Sequence, residues 1–322
     1  MTGFHGGGHL PAAFLSVPPG GMQFDGRRLS LPGREGTIWG ALMNITSPRE
    51  ITQLLSEYHL SPLKKFGQNF LCDENIVQKI VDSIGLTPDR CVLEIGTGLG
   101  ALTRALSVRA KKVVSVEIDR GLLALHGKTL AGLPNVTVLE GDILKYDLKG
   151  LCADYFGGSP FHVCGNLPYY ITSKILMQVL ESGAPVRSIT AMVQKEVAQR
   201  LSARPGDTDY GALTASCLYF SQPETLFTVS RNCFYPAPDV DSAIIRMELS
   251  RPACGVARSD YTAVIRAAFS MRRKTIYNNL KPLAGSNAKF ILESCKIDPN
   301  ARAQELSPSQ FCDIAKLIFQ KL

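Results

Sequence analysis

Histidine, tryptophan and paired cysteines are scarce in this sequence, and their scarcity removes several classes of protein from consideration. The chain of 322 residues contains five histidines, one tryptophan and nine cysteines. The cysteines are odd in number and show no C-x-x-C spacing, which favours small buried side chains in a reducing compartment over a disulfide framework. No group of histidines and cysteines has the spacing of a metal site, so we expect no metal.

Long hydrophobic runs are also missing. No apolar stretch approaches the roughly 20 residues that span a bilayer. The short apolar stretch Leu10–Val17 follows no basic segment, which argues against a secretory signal. With 45% apolar and 20% charged residues, the composition is typical of a globular protein with a hydrophobic core. A cytoplasmic protein is therefore expected.

Residues 1–42 lack the periodicity of both helices and strands. They contain ten glycines, four prolines and no lysine, a composition from which we expect a disordered extension. A helix start follows, because Ser47 can cap a helix, Pro48 suits its first turn and Glu50 is acidic. We therefore expect the natural start to lie closer to Met43, and the first domain to begin there.

Excess positive charge is missing from most of the chain and concentrated at its end. Residues 251–322 contain 12 lysines and arginines and five acidic residues, whereas residues 1–250 contain 23 of each. A basic segment attached to a neutral domain favours a polyanionic partner, nucleic acid first. The positive charges of this segment are densest at Arg272-Arg273-Lys274, and Lys64-Lys65 could extend the basic surface. A solvated helix face is the alternative interpretation.

Short apolar stretches alternate with helical patterns in the middle of the chain. Strands are predicted over Cys91–Ile95, Val113–Ile118, Val136–Leu139, Phe161–Cys164 and Ile189–Val193, with helices near 101–106, 122–130 and 173–180. Repeated strand–helix units predict a mostly parallel sheet with helices on both faces.

The last part of the chain departs from this alternation. The stretches Thr225–Val229 and Ala243–Leu249 have no obvious helix between them, which predicts an antiparallel hairpin at the sheet edge. After Pro252 only helical periodicity remains. The chain is therefore expected to contain an α/β domain over 43–250 and a small, basic, all-helical domain over 251–322.

Three successive predicted strands end in residues suited to a nucleoside. The first leads into the glycine-rich stretch Glu94–Gly100, where the backbone can turn tightly and approach a ligand. Glu117 ends the second strand and can bind both hydroxyls of a ribose, while Asp142 ends the third and can accept from an adenine amino group. Each acid alone could be a solvated or capping residue. Together they predict an adenosine-shaped pocket at the carboxyl edge of the sheet.

The fourth of these strands ends in Asn166-Leu167-Pro168-Tyr169. The Asn166 side-chain oxygen and nearby main-chain carbonyls can accept hydrogen bonds from a planar amino group, and the Tyr169 ring can cover its flat face. Alone, these four residues could form an ordinary turn. A NAD-dependent dehydrogenase would bind an adenosine too but has no evident use for this fourth element, whereas a methyltransferase using S-adenosylmethionine does.

With these motifs the chain resembles the ribosomal RNA adenine dimethyltransferases, and among them the bacterial small-subunit enzymes. The resemblance covers about residues 62–282. Its motifs are Phe66–Leu71, Glu94–Gly100, Glu117–Asp119, Gly141–Asp142, Asn166–Tyr169, Gln194–Val197, Phe234–Ser242 and Arg272–Thr275. Thr97 stands where the family usually has proline, a change expected to loosen the loop, and Asp239 stands where lysine is common.

The resemblance implies a Rossmann-like class I methyltransferase sheet and a set of site residues. The implied S-adenosylmethionine site consists of Asn69, Leu71, Gly96, Glu117, Asp142 and Asn166. The implied catalytic residues are Asn166, Leu167, Pro168 and Tyr169, with Phe234 as a second face for the substrate base. RNA binding is expected at Lys64, Lys65, Arg272, Arg273 and Lys274.

The implied activity is dimethylation of N6 in two adjacent adenosines of the 3′-terminal hairpin loop of 16S rRNA, during biogenesis of the 30S subunit, by a monomeric enzyme. One alternative is the 23S rRNA methyltransferase group that confers macrolide resistance. Leu167 and the signature at 269–275 favour the small subunit. A second alternative is a ribosome-assembly factor that acts mainly by binding.

Overall fold

The structure of the protein, a computed structural model, describes residues 44–63, 66–249 and 255–319. The predicted extension over 1–42, Met43, Lys64, Lys65 and the predicted domain boundary at 250/251 lie outside the described residues. The predictions made for them remain predictions.

Seven strands form the main sheet and two short strands form a second one. The strands are β1 (Phe70–Leu71), β2 (Cys91–Ile95), β3 (Lys112–Glu117), β4 (Val136–Glu140), β5 (Phe161–Asn166), β6 (Val186–Gln194), β7 (Glu224–Val229), β8 (Phe234–Tyr235) and β9 (Ser242–Glu248). The order in the main sheet is β4-β3-β2-β5-β6-β9-β7. Neighbours from β4 through β6 pair in parallel, and β9 pairs antiparallel with both β6 and β7. The predicted parallel sheet with an antiparallel edge is confirmed.

The edge is more elaborate than a hairpin, because the chain between β7 and β9 contains β8. That strand leaves the main sheet and pairs antiparallel with β1, placing Phe70 opposite Tyr235 and Leu71 opposite Phe234. Two segments that are remote in sequence are thereby joined beside the carboxyl edge of the main sheet. A strand of two residues has no periodicity that sequence analysis could detect.

The main sheet is buried on both faces, as expected for parallel strands. All five residues of β2 are buried. Successive side chains point to opposite faces, so Leu93 lies in the core with the helices over 148–156 and 172–181, while Val92 lies in the core with those over 74–84 and 101–109. The strand is therefore apolar along its whole length except at Glu94.

Twelve α-helices occur among the described residues. They are α1 (Pro48–Glu57), α2 (Glu74–Ile84), α3 (Ala101–Arg109), α4 (Arg120–Thr129), α5 (Leu148–Phe156), α6 (Thr172–Glu181), α7 (Lys195–Leu201), α8 (Ala212–Phe220), α9 (Arg258–Ala268), α10 (Ile276–Ala284), α11 (Ala288–Ser294) and α12 (Pro308–Phe319). Within the described ranges, none of them is long and apolar enough to cross a membrane.

Helices α9 and α12 pack against α8, while α10 packs on α9 and α11 packs on α12, so that all four extend the same hydrophobic core. The rings of Tyr219 and Tyr261 stack with centroids 4.1 Å apart. Each hydroxyl also donates a hydrogen bond across the junction, Tyr219 to the Val256 carbonyl at 2.6 Å and Tyr261 to the Ala215 carbonyl at 2.9 Å. Buried contacts of this kind fix the position of the C-terminal helices relative to the sheet.

Candidate active site

A cavity opens at the carboxyl edge of the parallel strands, where the ends of β2, β3 and β5 and the turn after β4 meet. The segment Phe66–Cys72, here called the cover segment, forms another wall. All six residues predicted for the cofactor site line this cavity: Asn69, Leu71, Gly96, Glu117, Asp142 and Asn166. The structure therefore brings these residues together.

The glycine-rich turn after β2 has a backbone that only glycine adopts readily. Gly96, Gly98 and Gly100 have φ angles of +84°, +57° and +93°. The Gly98 carbonyl accepts a hydrogen bond from Nε2 of His126 at 2.9 Å. Burial lowers the pKa of His126, which favours the neutral ring with its proton on Nε2.

Thr97, from which we expected a looser loop, adds an anchor to this turn. The residue is 4% exposed, and its hydroxyl oxygen lies 2.6 Å from that of Ser115 on β3. Proline cannot make such a hydrogen bond. The turn is thus fastened to the sheet through a side chain.

Glu117, at the end of β3, is held by three backbone N–H groups. Its Oε2 accepts from Gly98 at 2.8 Å, and its Oε1 accepts from Ile118 at 3.0 Å and Asp119 at 2.9 Å. Burial raises the pKa of Glu117, while these hydrogen bonds act in the opposite direction. A carboxylate offers about four lone-pair sites, so the three hydrogen bonds leave this fixed group about one further site, on Oε2, for a ligand hydroxyl.

Asp142 is both a capping residue and a residue of the cavity wall. Its Oδ1 caps a short 3₁₀ turn by accepting from the Leu144 N–H at 3.0 Å. Among the described residues, its Oδ2 has no hydrogen-bond partner, and the residue lines the cavity. Capping therefore orients the carboxylate and leaves one oxygen available to a ligand.

Asn166 is the last residue of β5, and its amide orientation is set by the cover segment. Its Nδ2 donates to the Asn69 carbonyl at 2.9 Å. This assignment places Oδ1 on the opposite side of the amide, where no described residue donates a hydrogen bond to it. The amide thus presents an acceptor to the cavity.

The residues after Asn166 form a rigid corner. The Leu167 N–H donates to the Met192 carbonyl at 3.1 Å, and the Pro168 carbonyl accepts from Ile171 at 3.2 Å and from the Thr172 hydroxyl at 2.9 Å. The Tyr169 hydroxyl lies 2.6 Å from the Ser242 hydroxyl, so its ring is anchored to β9. Burial raises the pKa of Tyr169.

Phe234 lies in β8 and does not line the cavity. It is 4% exposed and packs in the core that contains Leu71, its partner across the β1–β8 pair. Its predicted contact with the substrate base remains a prediction. Asp239, which replaces the common lysine, is exposed, and its carbonyl accepts from Arg231 at 3.2 Å.

Gln68 in the cover segment was not predicted as a site residue from the sequence. Its Nε2 donates to Asp119 Oδ2 at 2.6 Å, and its Oε1 accepts from the Leu63 N–H at 2.7 Å. The side chain therefore ties the cover segment to the loop after β3, next to Glu117. Gln68 stands beside Asn69 in the same motif, but a contact across 51 residues of sequence leaves no local pattern.

Glu94 and Tyr170 were also missed, although both line the cavity. Glu94 is fully buried on β2, and burial raises its pKa to about 7. Its Oε2 accepts from the Thr103 hydroxyl at 2.6 Å, whereas its Oε1 is buried with no hydrogen-bond partner among the described residues. Tyr170 is 58% exposed, and its ring lies 3.7 Å from the position that a Cβ of Gly67 would take.

The predicted RNA-binding residues of the C-terminal region lie on a turn rather than on a helix face. Arg272, Arg273 and Lys274 are exposed between α9 and α10. The turn is fixed from below by the buried Asn279, whose Nδ2 donates to the Ala268 carbonyl at 2.6 Å and to the Met271 carbonyl at 3.1 Å. We call residues 270–275 the basic turn.

The cavity fits S-adenosylmethionine, the cofactor that the resemblance implies. Positive φ angles at Gly96 and Gly98 exclude side chains where the backbone faces the cavity. Three acidic residues line it, Glu94, Glu117 and Asp142, which suits a ligand with cationic groups and a ribose. In the described part of the chain, no group of histidine, cysteine or acidic residues could hold a metal ion.

The strand order and the arrangement of glycine turn, Glu, Asp and Asn at successive strand ends define a Rossmann-like methyltransferase. Residues 61–320 match the family described as ribosomal RNA adenine dimethylase. The chain belongs to this family, as the motifs in its sequence had indicated.

Curated relatives match over almost their whole length. "Ribosomal RNA small subunit methyltransferase A" of Alkaliphilus metalliredigens is 41% identical over 278 residues, covering 84% of this chain and 97% of the relative. The protein of the same name from Bacillus mycoides is 42% identical over 292 residues, covering 87% of this chain and 100% of the relative.

Two solved structures share the fold. A dimethyladenosine transferase from Plasmodium falciparum is 25% identical with a TM-score of 0.61, covering 75% of this chain and 94% of that chain. The 23S rRNA methyltransferase ErmE is 29% identical with a TM-score of 0.59, covering 78% of this chain and 99% of that chain.

Proposed function

We propose that this protein transfers methyl groups from S-adenosylmethionine to N6 of two adjacent adenosines in the 3′-terminal hairpin loop of 16S rRNA. The observation that carries the proposal is the identity of 41% and 42% over 97% and 100% of relatives named for the small subunit. The placement of Asn166–Tyr169 in the cavity supports an amino group as the methyl acceptor.

Residues that line the cavity would bind the cofactor through hydrogen bonds to its polar groups. S-adenosylmethionine supplies a methyl group on a positively charged sulfur. Glu117 would accept from a ribose hydroxyl through Oε2, because three backbone N–H groups already fix its carboxylate. Asp142 would accept from the adenine amino group through Oδ2. Asn69 and Leu71 would close the cavity from the cover segment, with Gln68 holding that segment in place.

Catalysis at N6 requires hydrogen-bond acceptors rather than a strong base. The N6 lone pair of adenosine is delocalised into the ring, so acceptors that favour a pyramidal nitrogen stabilise the transition state. Asn166 Oδ1 would be one acceptor. The Leu167 carbonyl would be the second, because the Pro168 carbonyl already accepts two hydrogen bonds. The proton on N6 can leave after the methyl group has been transferred.

Aromatic rings would hold the target base in place. A base within an RNA stack is out of reach of an enclosed cavity and has to be flipped out. Tyr169, anchored through its hydroxyl to Ser242, would stack on the flipped adenine. Phe234 would cover the other face, which requires a change in β8 because its ring is buried in this structure.

The basic turn would bind RNA phosphates and orient the substrate without reading its sequence. We further propose that the substrate is the immature 30S subunit, that the enzyme acts as a monomer, and that it works in the cytoplasm with its ribosomal substrate. The proposed substrate rests on the relatives' shared name for the small subunit and on the exposed cluster Arg272, Arg273 and Lys274, and the proposed location follows from that substrate.

A labelled methyl-transfer assay tests the proposal. Purified enzyme is given labelled S-adenosylmethionine with unmethylated 30S particles, with 50S particles and with a random RNA, and the RNA is digested to nucleosides. N6,N6-dimethyladenosine from 30S particles alone is the expected result. Label in 50S RNA would instead place the enzyme with the 23S methyltransferases, and RNA binding without label would favour a pure assembly factor.

A further inference from the structure

Glu94 is a fully buried acidic side chain in the wall of the cavity. Because none of its surface is exposed, it lies beneath the cavity floor and acts on a ligand through its charge. Its Oε2 accepts from the Thr103 hydroxyl at 2.6 Å, whereas Oε1 is buried with no hydrogen-bond partner among the described residues. An ionised carboxylate is costly to bury when one oxygen has no donor, so the charged form of Glu94 needs compensation from another group.

The groups that face Glu94 come from three neighbouring elements, and none of them in the described part of the chain is a cation. Ser115 on β3 and Cys164 on β5 lie directly opposite it in the strand register. Thr103 reaches it from α3, and Glu117 lies farther along β3. Burial raises the pKa of Glu94 to about 7, while the two hydroxyls act against this rise and the Glu117 charge adds to it. Without a bound cation, the folded protein therefore holds a proton on Glu94 in mildly acidic solution.

The sheet order places Glu94 where a positive charge of the cofactor would lie, a placement that rests on the proposed function. Strand β2 lies between β3 and β5. Glu117 at the end of β3 would bind the ribose, and Asn166 at the end of β5 would hold the methyl acceptor. In S-adenosylmethionine the positively charged sulfur carries both the methyl group and the carbon chain of the ribose. The sulfur therefore belongs over the end of β2, the strand that contains Glu94.

We propose that Glu94 distinguishes the methyl donor from its demethylated product by charge. When the donor is bound, the Glu94 carboxylate is stabilised by the positive sulfur across the low-dielectric interior, and the carboxyl proton passes to solvent. In the product, S-adenosylhomocysteine, the sulfur is a neutral sulfide, so Glu94 takes a proton back from solvent. The only bond of the protein that breaks and forms is the O–H bond of this carboxyl group.

The coupling makes donor affinity depend on pH in a defined direction. Below about pH 7 the protein has to lose a proton from Glu94 to bind the donor, so acid weakens donor binding. Above this pH Glu94 is already ionised, and its contribution to the affinity is constant. Product binding requires less proton loss and is less sensitive to pH. The ratio of donor affinity to product affinity therefore rises with pH through this window, which favours exchange of product for fresh donor near neutral pH.

Isothermal titration calorimetry of the full-length protein counts the protons. S-adenosylmethionine is titrated at about pH 6 in buffers with different ionisation enthalpies, and the slope of the measured enthalpy against these values gives the number of protons released. We expect release of about one proton, and none from Glu94→Gln, which has the shape of the protonated acid. Glu224→Gln, at an exposed glutamate of β7, should release as many as the unmodified protein. A slope of zero in the unmodified protein, or an equal slope in Glu94→Gln, would overturn the proposal.

S-adenosylhomocysteine tests the charge of the sulfur without any variant. It differs from the donor by the methyl group and the positive charge, and in the same buffers it should release clearly fewer protons. Between about pH 5.5 and about pH 7.5 the ratio of donor affinity to product affinity should rise several-fold in the unmodified protein and stay flat in Glu94→Gln. Equal proton release by the two ligands would overturn the discrimination by charge.

Equilibrium dialysis separates a failure of this coupling from a failure of the proposed function. If labelled S-adenosylmethionine is retained by the protein but releases no proton, the coupling is wrong and the proposed function stands. If the label is not retained at any pH, the cofactor assignment on which both depend is wrong.

Discussion

The carboxyl edge of the sheet and the basic turn differ in charge, in exposure and in how much of the chain builds them. The edge is a concave, partly acidic site to which four strand ends and the cover segment contribute. The basic turn spans residues 270–275, is exposed and cationic, and is held by Asn279 and by a hydrogen bond from Arg272 to the Thr208 carbonyl. A change at the edge should therefore affect one defined step strongly, whereas a change at the turn should weaken binding by small increments.

The largest expected effect is that of Asn166→Ala. Removing a preorganised group that favours the transition state costs on the order of a hundredfold to a thousandfold in rate. Methyl transfer to 30S particles should fall by this amount, while RNA affinity, measured by filter binding, stays unchanged because the basic turn is intact. Asn300→Ala, at an exposed asparagine of the C-terminal region, is the matched control. An equal loss of RNA affinity would contradict the separation of the two regions.

Next in size is the pH dependence contributed by Glu94. Its pKa is raised from 4.5 to about 7 by burial, so between these values the unfolded chain loses the proton and the folded protein keeps it. Stability therefore falls as pH rises through this window, by about 3 kcal/mol in total, and is constant above it. Glu94→Gln should flatten this slope.

Urea unfolding at about pH 5 and about pH 8 measures the Glu94 effect. The loss of stability between the two values should be smaller in Glu94→Gln than in the unmodified protein. Glu224→Gln, at an exposed glutamate of β7, should leave the difference as it is. If stability depends on pH equally in the unmodified protein and in Glu94→Gln, the Glu94 carboxyl is ionised in the folded protein.

A smaller effect is expected for Tyr170→Ala. The exposed ring at the mouth of the cavity can stack on a nucleotide next to the flipped adenosine, and stacking on an aromatic side chain contributes about 1–3 kcal/mol per base. The KM for 30S particles should rise roughly tenfold to a hundredfold, whereas calorimetry should find S-adenosylmethionine affinity unchanged. Tyr170→Phe should behave as the unmodified protein. A loss in Tyr170→Phe equal to that in Tyr170→Ala would assign the effect to the hydroxyl.

The smallest effect is expected for Arg273→Ala in the basic turn. Each phosphate contact contributes about 0.7–0.9 to the slope of log affinity against log salt concentration. The variant should reduce the slope by about this amount and leave the rate at saturating RNA unchanged. Lys316→Ala, on α12, serves as the control. An unchanged salt slope in Arg273→Ala would remove the basic turn from the RNA-binding surface.

The strands of the main sheet and the residues at their carboxyl ends could be predicted from local patterns in the sequence. Parallel strands are continuous apolar runs, and their ends carried Glu117, Asp142 and Asn166, so the position of the cavity followed from the rule that carboxyl ends meet. The cover segment was identified only through the resemblance. Its contacts from Gln68 to Asp119 and from Asn166 to Asn69 join residues that are 51 and 97 positions apart, and no periodicity reports such pairs.

Other elements were missed because their local signal is ambiguous. Helix α8 is buried over most of Ala212–Phe220, so it lacks the polar face that distinguishes an amphipathic helix. Asparagine is a polar residue typical of the protein surface, yet Asn279 lies beneath the basic turn and is only 3% exposed. Buried polar residues of this kind are identified by their hydrogen-bond partners, which only the folded chain provides.

The pairing of β1 with β8 also sets the order in which a newly synthesised chain can become active. Asp73 and Cys233 are 160 residues apart in sequence, yet their side chains touch. Domains are made from the amino terminus, so the glycine turn, Glu117 and Asn166 all leave the ribosome before Tyr235 does. Until then the cover segment has no strand to pair with. A chain that ends before Tyr235 therefore lacks the strand that pairs with the cover segment beside the cofactor cavity.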